Sequence, residues 1–123
     1  MSCMRKILLV EDEELLRDSY VLILSTEAYD VDSATNGQEA LDKCQDKVYD
    51  LILLDLMMPI VDGVAFLEQY QPNPHTKIVI LSNLSAGTEL DKAMRLGAHN
   101  SVLKATLSPR QLLSTVRYEL QAA

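Results

Sequence analysis

Short apolar runs alternate with amphipathic segments along the whole chain. Four runs have the length of a strand and are almost entirely apolar, and they span residues 7–10, 51–54, 77–81 and 101–103. Strands that are apolar on both faces belong to parallel sheets covered by helices. A fifth segment, Tyr29–Ala34, alternates Asp30 and Asp32 with Val31. That alternation predicts an edge strand with one exposed face.

The segments between these runs have helical spacing, and local signals mark where several helices begin and end. Asn36 is predicted to cap the second helix, with Glu39 in the capping-box position. Asp62 is predicted to cap the third helix. We expect a fourth helix over residues 86–96, which Gly97 then ends.

The fifth predicted helix begins with Ser108 as its cap and Pro109 at its first position. Strand and helix therefore alternate five times along the chain. Right-handed crossovers between successive strands then give an open parallel sheet with helices on both faces. The sequence predicts an α/β fold of (βα)5 type. Because the chain ends one helix after the last predicted strand, we expect a single domain over residues 1–123 with no output domain.

Composition narrows the possible functions. The chain has 123 residues, of which 48% are hydrophobic, so one domain with a sizeable core is expected. Its formal net charge of −7 argues against direct binding to nucleic acid. The two cysteines, Cys3 and Cys44, form neither a zinc motif nor a disulfide framework. With no signal peptide and no run as long as a membrane span, we expect a soluble, cytoplasmic protein that does not contact membranes.

Charged and polar side chains follow four of the predicted strands. Glu11 and Asp12 come after the first strand, Asp55 ends the third, Ser82 ends the fourth and Lys104 follows the last. Open α/β sheets bind their ligands at the carboxyl ends of the strands. These five residues therefore form the candidate site.

Three carboxylates held close together repel one another, and a divalent cation relieves that repulsion. Mg²⁺ prefers hard oxygen ligands and uses one or two carboxylates together with phosphate oxygens. Asp12 and Asp55 are the stronger candidate ligands, and Glu11 is a weaker one. The alternative for acids at strand ends is that they cap the next helix, which we expect of Glu13 and Glu14.

Asp55 can also be a nucleophile, because a carboxylate can accept a phosphoryl group as an aspartyl-phosphate. Such a transfer requires mainly positioning and charge neutralisation. Lys104 would contact one phosphoryl oxygen as a point charge, and the Ser82 hydroxyl would donate to another. Their alternative interpretations are a solvated surface lysine and a turn serine.

The motifs around these residues resemble the receiver domains of two-component response regulators. The motifs are ILLVEDEE at 7–14, YDLILLDLMMPIVDG at 49–63, VILSN at 79–83 and LGAHNSVLKA at 96–105. The resemblance covers essentially the whole chain. It implies the flavodoxin-like doubly wound sheet with strand order 2-1-3-4-5.

The resemblance also implies a role for each site residue. Asp55 matches the phosphoacceptor, Ser82 the switch hydroxyl and Lys104 the phosphate-binding lysine. The implied Mg²⁺ ligands are Asp12, Asp55 and the backbone carbonyl of Met57, with Glu11 acting through water. Receivers of this family accept phosphoryl groups from a sensor histidine kinase or a histidine phosphotransfer protein. The expected protein is thus a stand-alone receiver, not an enzyme beyond its own phosphorylation and slow autodephosphorylation. It would signal by altered contacts at the surface of the fourth helix, fifth strand and fifth helix.

Three positions depart from the family pattern. Ala105 stands where the family usually has a proline after the lysine, so a cis peptide bond is not expected there. Ser101 replaces the usual aromatic switch residue, and Asn83 replaces a very small residue after the switch hydroxyl. The loop after Lys104 should therefore differ from the family's, and switching through an aromatic ring at Ser101 is excluded.

Two alternatives accompany this interpretation. Phosphatases of the haloacid dehalogenase type also use an aspartate nucleophile, but they need a second acid two residues later, where this chain has Met57. A phosphorylation-independent receiver that acts as a protein-interaction module stays open, because the proline and the aromatic are missing. Binding of Mg²⁺ to Asp12 and Asp55 would distinguish an intact site from a degenerate one.

Overall fold

The computed structural model describes residues 4–83 and 87–121. Strands and helices alternate along the chain, as the hydrophobic pattern predicts. The strands are β1 (Arg5–Val10), β2 (Tyr29–Ala34), β3 (Leu51–Asp55), β4 (Lys77–Ser82) and β5 (Asn100–Leu103). The helices are α1 (Glu14–Ser25), α2 (Gly37–Asp46), α3 (Gly63–Gln69), α4 (Thr88–Arg95) and α5 (Pro109–Gln121).

The five strands form one parallel sheet with the order β2-β1-β3-β4-β5. This is the flavodoxin-like doubly wound arrangement, and the predicted fold class is confirmed. β2 lies at an edge of the sheet, as predicted. Its first five residues are all half-buried, so the exposed face that the alternating pattern predicts is not observed. Every residue of β3 is buried, because this strand lies at the centre with helices on both faces.

Alternate strand residues point into two separate cores, one on each face of the sheet. Leu8 and Ile52 pack on one face with residues of α2, α3 and α4, among them Phe66. Ile7 and Leu51 pack on the other face with residues of α1 and α5. Within the described ranges, no helix has the length and apolar character to cross a membrane.

The caps of α2 and α3 agree with the sequence, with one difference in detail. The side chain of Asn36 accepts a hydrogen bond from the N–H of Glu39 at 2.9 Å. The Glu39 carboxylate accepts from the N–H of Thr35 at 2.7 Å and not from that of Asn36, so the capping box is displaced by one residue. Asp62 accepts from the N–H of Ala65 at 2.8 Å, which confirms it as the cap of α3.

Both ends of α4 can be compared with the prediction. The helix begins at Thr88, later than expected, and residue 86 lies outside the described residues. Gly97 ends the helix as predicted, with a φ of 119°. The N–H of Ala98 donates to the carbonyl of Ala93 at 3.1 Å, which is the long hydrogen bond of a Schellman motif.

The start of α5 is a reciprocal capping box. The hydroxyl of Ser108 accepts from the N–H of Gln111 at 3.2 Å, and the side chain of Gln111 accepts from the N–H of Ser108 at 2.9 Å. Pro109 is the first residue of the helix, as the sequence predicts.

The segment between β3 and α3 is held close to the sheet by Gly63. Its N–H donates to the carbonyl of Leu56 at 3.0 Å. A Cβ atom at this position would lie 2.6 Å from the carbonyl oxygen of Asp55 and 2.7 Å from Cα of Leu56. Only glycine therefore lets the first turn of α3 lie directly against the backbone of Asp55.

The same segment contains the one left-handed residue other than glycine among the described residues. Ile60 has a φ of 69°, a conformation that a β-branched side chain disfavours strongly. Its side chain is 82% exposed, so little burial offsets the strain. The neighbouring Val61 is anchored, because its carbonyl accepts from the N–H of Gly37 at 2.7 Å.

We expect Gly63→Ala to lower the free energy of unfolding by about 2 kcal/mol, the usual cost of forcing extra atoms into a packed site. The physical cause is the overlap of the new Cβ with backbone atoms of Asp55 and Leu56, which cannot rotate away as a side chain could. Urea unfolding monitored by circular dichroism measures the change. An unaltered unfolding midpoint would show that the segment yields without cost.

Ile60→Gly should have the opposite effect and raise the free energy of unfolding by about 1 kcal/mol. Glycine removes the left-handed strain, and the exposed isoleucine side chain contributes little burial to lose. Val61→Gly is the matched control, because Val61 has no positive φ and packs against the core, so this variant should be less stable. Equal destabilisation of both variants in urea unfolding would contradict the assignment of strain to Ile60.

Candidate functional site

A cleft of about 290 Å³ opens at the carboxyl edge of the sheet, above the ends of β1, β3, β4 and β5. Its lining residues are Glu11, Asp12, Glu13, Asp55, Met57, Ser82, Asn83 and Lys104. The structure therefore brings together all six residues that the sequence nominated for the site. Their convergence follows from the parallel topology, in which every strand ends at the same edge.

Three carboxylates form the floor and one wall of the cleft. Glu11, Asp12 and Asp55 each offer an oxygen atom, and these three atoms lie within 4.8 Å of one another. Glu11 and Asp55 are buried, whereas Asp12 is exposed. Hard carboxylate oxygens at this spacing fit a small divalent cation such as Mg²⁺.

Lys104 lies inside the cleft and not on the solvated surface. Its ammonium nitrogen is 2.6 Å from Oε1 of Glu11 and 3.4 Å from Oδ2 of Asp55. Only 9% of its side chain is exposed. Burial acts to lower the pKa of Lys104, but the hydrogen bond that Lys104 donates to Glu11 and the charges of both acids outweigh it and raise the pKa. The lysine thus stays charged and neutralises part of the acidic cluster.

Asp55 is the last residue of the fully buried strand β3. Burial and the nearby charge of Glu11 raise the pKa of Asp55 to about 6, although Lys104 and the N–H of Met57 act in the other direction. That N–H donates to Oδ1 of Asp55 at 3.3 Å. The carboxylate is therefore ionised at neutral pH but held with little solvent, which favours nucleophilic reaction over simple solvation.

Glu11 has both carboxylate oxygens engaged. Oε1 accepts from Lys104, and Oε2 accepts from the N–H of Glu13 at 3.1 Å. Glu13 occupies the N-cap position of α1, as predicted, but its side chain makes no capping hydrogen bond. The carboxylate of Glu11 instead accepts from the N–H of this N-cap residue. Glu14 lies in the first turn of α1, where a negative charge is favourable.

The remaining residues complete the rim of the cleft. Ser82 ends β4 and is buried, while Asn83 next to it is exposed. Met57 places its backbone beside Asp55 and leaves its side chain 68% exposed. A hydroxyl, an ammonium group and three carboxylates thus surround one small volume. This donor set suits a phosphoryl group and a cation together.

Comparison with known proteins agrees with this geometry. The model of the response regulator receiver domain matches residues 7–117. The chain belongs to the response regulator receiver family. Receiver domains of this family are the phosphorylated partners of kinases in two-component systems and generally bind Mg²⁺, which is consistent with a phosphoacceptor role for the cleft.

Curated relatives of this receiver are longer regulators. It is 36% identical to the response regulator ArlR of Staphylococcus saprophyticus over 96% of its own length and 53% of ArlR. It is equally similar, at 36% identity, to the transcriptional regulatory protein ResD of Bacillus subtilis, covering 96% of this chain and 49% of ResD. The chain therefore spans about half the length of the curated relatives it matches.

Solved structures include receivers of similar length. A CheY-like receiver domain protein from Methanospirillum hungatei superposes with a TM-score of 0.89 at 27% identity, covering 97% of this chain and 95% of that one. The chemotaxis response regulator CheY4 of Vibrio cholerae gives 0.86 at 28% identity, covering 95% and 99%. These likenesses extend over the whole βα sheet.

The receiver's departures from the family pattern have clear structural consequences. No cis peptide bond occurs in the described part of the chain, as the alanine at position 105 predicts. Residues Lys104–Thr106 form a single 3₁₀ turn, closed by the N–H of Leu107 on the carbonyl of Lys104 at 3.1 Å. Ser101 is half-buried in β5 and provides no ring that could rotate.

Sequence reasoning missed one residue at this site, Arg17. Its Nη1 atom donates to the carbonyl of Glu11 at 3.0 Å and lies 3.4 Å from that of Asp12. The only signal in the sequence is a basic residue in α1 shortly after the acidic pair. That pattern alone does not distinguish a surface arginine from one folded over the turn.

The raised pKa of Asp55 makes the stability of the metal-free receiver depend on pH. Asp55 binds its proton more tightly in the folded state, with a pKa of about 6, than in the unfolded state, where the ordinary value of 3.8 applies. The stability that protonated Asp55 contributes is therefore lost as pH rises from about 4 to about 6. Asp55→Asn lacks this titration, so its stability relative to the native chain should increase over that window and level off above it.

Urea unfolding of both chains in excess EDTA, at intervals from pH 4 to pH 8, measures this difference. Subtracting the two curves removes the titrations that both chains share. A difference that stays constant across the window, or one that shrinks as pH rises, would contradict the raised pKa of Asp55.

Proposed function

We propose that this chain is a phosphoaccepting receiver that takes a phosphoryl group on Asp55 and signals by altered protein contacts. One observation carries the proposal: a buried aspartate at the end of the central strand shares its cleft with Lys104, Ser82 and the two acids that lie within 4.8 Å of it, Glu11 and Asp12. A carboxylate in this setting is both partly desolvated and flanked by a cation. Those are the two conditions that nucleophilic attack on phosphorus requires.

The proposed transfer is a single displacement at phosphorus. One carboxylate oxygen of Asp55 forms the new bond to phosphorus, while the bond from phosphorus to the donor's imidazole nitrogen breaks. The nitrogen keeps the bonding electrons and later takes up a proton. Lys104, already 3.4 Å from Asp55, would contact a phosphoryl oxygen, and the hydroxyl of Ser82 would donate to another.

The acidic cluster supports a Mg²⁺ requirement. Asp12, Asp55 and the backbone carbonyl of Met57 are proposed to hold the ion, with Glu11 contacting it through water. When bound, Mg²⁺ would neutralise charge on the phosphoryl oxygens. The two oxygens of Glu11 already accept from Lys104 and from the N–H of Glu13, which supports an indirect role for this acid.

We infer that the phosphoryl donor is a sensor histidine kinase or a histidine phosphotransfer protein, in the cytoplasm. The receiver is proposed to act as a stand-alone protein. Its proposed downstream contact is a protein that binds the surface of α4, β5 and α5, with no direct contact to nucleic acid or membrane. It is proposed to catalyse only its own phosphorylation and slow dephosphorylation.

A second candidate function is a phosphorylation-independent receiver that acts as a protein-interaction module. Ser101 and Ala105 favour this candidate, because they replace the aromatic and the proline through which phosphorylation usually changes the surface. The intact set of Asp12, Asp55, Ser82 and Lys104 in one cleft favours the first candidate.

The mass of the intact protein after incubation with Mg²⁺ and acetyl phosphate tests the proposal directly. The native chain should gain one phosphoryl group, and Asp55→Asn should gain none. Asp62→Asn is the matched control, because asparagine caps a helix as well as aspartate does and position 62 lies in the same loop. This control should be phosphorylated like the native chain.

Two other results would have different meanings. Phosphorylation that persists in Asp55→Asn would place the acceptor elsewhere and contradict the assignment. An unmodified native chain that still binds Mg²⁺ in calorimetry should be incubated with a phosphorylated histidine kinase domain. If it remains unmodified there too, the interaction module is the better description.

A further inference from the structure

The turn between β1 and α1 carries two of the three acids of the site, so its backbone determines where they point. The N–H of Glu11 donates to the carbonyl of Ala34 at 3.0 Å, which ties the turn to the edge strand β2. The N–H of Glu13 donates to the carboxylate of Glu11. The first contact fixes the turn to the sheet and the second lies within the turn. Neither contact uses the carbonyl of Glu11 or that of Asp12.

The two carbonyls of this turn are bonded by a side chain. Nη1 of Arg17 donates to the carbonyl of Glu11 at 3.0 Å and lies 3.4 Å from the carbonyl of Asp12. Across the described ranges, no backbone N–H donates to either of these oxygens. The half-buried guanidinium group thus folds back from the first turns of α1 and joins the helix to the acidic turn.

Asp12 depends on this support more than the other acids do. Its carboxylate is exposed, and within the described residues it has no hydrogen-bond or ion-pair partner. Glu11 and Asp55, in contrast, are buried and bonded to Lys104. The direction of the Asp12 side chain therefore rests on the backbone of the turn alone, and Arg17 bonds that backbone.

We propose that Arg17 is a positioning residue for the metal site, which it serves by fixing the backbone of Glu11 and Asp12. This inference rests on the proposed Mg²⁺ requirement. Mg²⁺ demands nearly ideal octahedral geometry, so a ligand that swings freely binds it poorly. Groups that orient metal ligands from outside typically change metal affinity 10–100-fold when removed.

The positive charge of Arg17 affects Mg²⁺ affinity in the opposite direction to its positioning role, so the two effects can be distinguished. A guanidinium group bonded to the backbone of the acidic turn repels an incoming cation, so removing it would tighten Mg²⁺ binding if charge alone mattered. Positioning predicts weaker binding, because the turn loses the donor to its two carbonyls. The sign of the change in affinity therefore decides between the two effects.

The test measures Mg²⁺ affinity by isothermal titration of the metal alone into the native chain, Arg17→Met and Arg17→Lys. Arg17→Met should weaken Mg²⁺ binding and raise its dissociation constant on the order of 10-fold. Arg17→Lys keeps a charged donor and should recover part of the loss. Arg95→Met is the matched control, because Arg95 is an exposed arginine at the opposite end of α4 from the site, and it should bind Mg²⁺ like the native chain.

The Mg²⁺ dependence of the phosphorylation rate is a second measurement, which a purely structural role of Arg17 would leave unchanged. With acetyl phosphate as donor, the Mg²⁺ concentration for half-maximal phosphorylation should rise in Arg17→Met by the same factor as the dissociation constant. The maximal rate at saturating Mg²⁺ should change little, because Arg17 touches neither Asp55 nor Lys104. The thermal midpoint of the metal-free variant verifies that it is folded, and Arg17→Lys carries the test if the methionine variant is not.

Each contrary outcome has one meaning. Equal or tighter Mg²⁺ binding in folded Arg17→Met or Arg17→Lys would overturn the positioning role and leave the proposed function intact. A native chain that binds no Mg²⁺ would overturn the metal part of the proposed function, and this inference with it.

Discussion

A lysine buried between two carboxylates is the interaction on which the site depends. Lys104 reaches the cleft from the end of an outer strand, while Glu11 and Asp55 come from two inner strands, so the pairing joins the carboxyl ends of β1, β3 and β5. Unpaired, two buried carboxylates and one buried ammonium group would each be expensive to desolvate. Together the three groups compensate one another's charge. The ammonium nitrogen of Lys104 is nevertheless farther from Asp55 Oδ2, at 3.4 Å, than from Glu11 Oε1, at 2.6 Å. Asp55 thereby remains available to a further partner.

Because Lys104 lies closer to Glu11 than to Asp55, the charges of the two buried acids are compensated to different extents. Glu11 is held by Lys104 and by a backbone N–H, so its charge is compensated within the protein. Asp55 has the longer lysine contact and accepts from the N–H of Met57, and burial raises its pKa to about 6. A carboxylate that is incompletely compensated gains most from binding a cation or a phosphoryl group. The fold thus leaves the acid at the end of the central strand less fully paired than Glu11.

Much of this arrangement could be predicted from the sequence, and the exceptions share a physical cause. The site residues directly follow buried strands, and the parallel strands bring them to one edge of the sheet. The hydrophobic pattern reveals those strands, so it also predicts where these side chains meet. The strand order itself came from resemblance, because the pattern gives only the succession of elements. The contacts of Arg17 and the hydrogen bond that Glu11 accepts from the N–H of Glu13 could not be predicted. Both depend on which way a long side chain folds over a turn, and backbone angles that the sequence does not specify decide that direction.

The segment after Asp55 holds a strained backbone residue, Ile60, close to the acidic cleft. Gly63 lets α3 lie against the carbonyl of Asp55, and Gly37 brings α2 against the carbonyl of Val61. These two contacts hold Val61 and Gly63 in place a few residues after Asp55. The short stretch of chain between Asp55 and Val61 must therefore turn sharply, and Ile60 takes the left-handed conformation that results. Such strain persists only where surrounding contacts over-determine the backbone. The two glycines provide those contacts: Gly63 lets α3 lie against the backbone of Asp55, and Gly37 lets α2 lie against the segment that follows Asp55. Because Ser101 carries no aromatic ring, these backbone contacts, and not a ring in β5, join the acidic cleft to the helices on this face of the sheet.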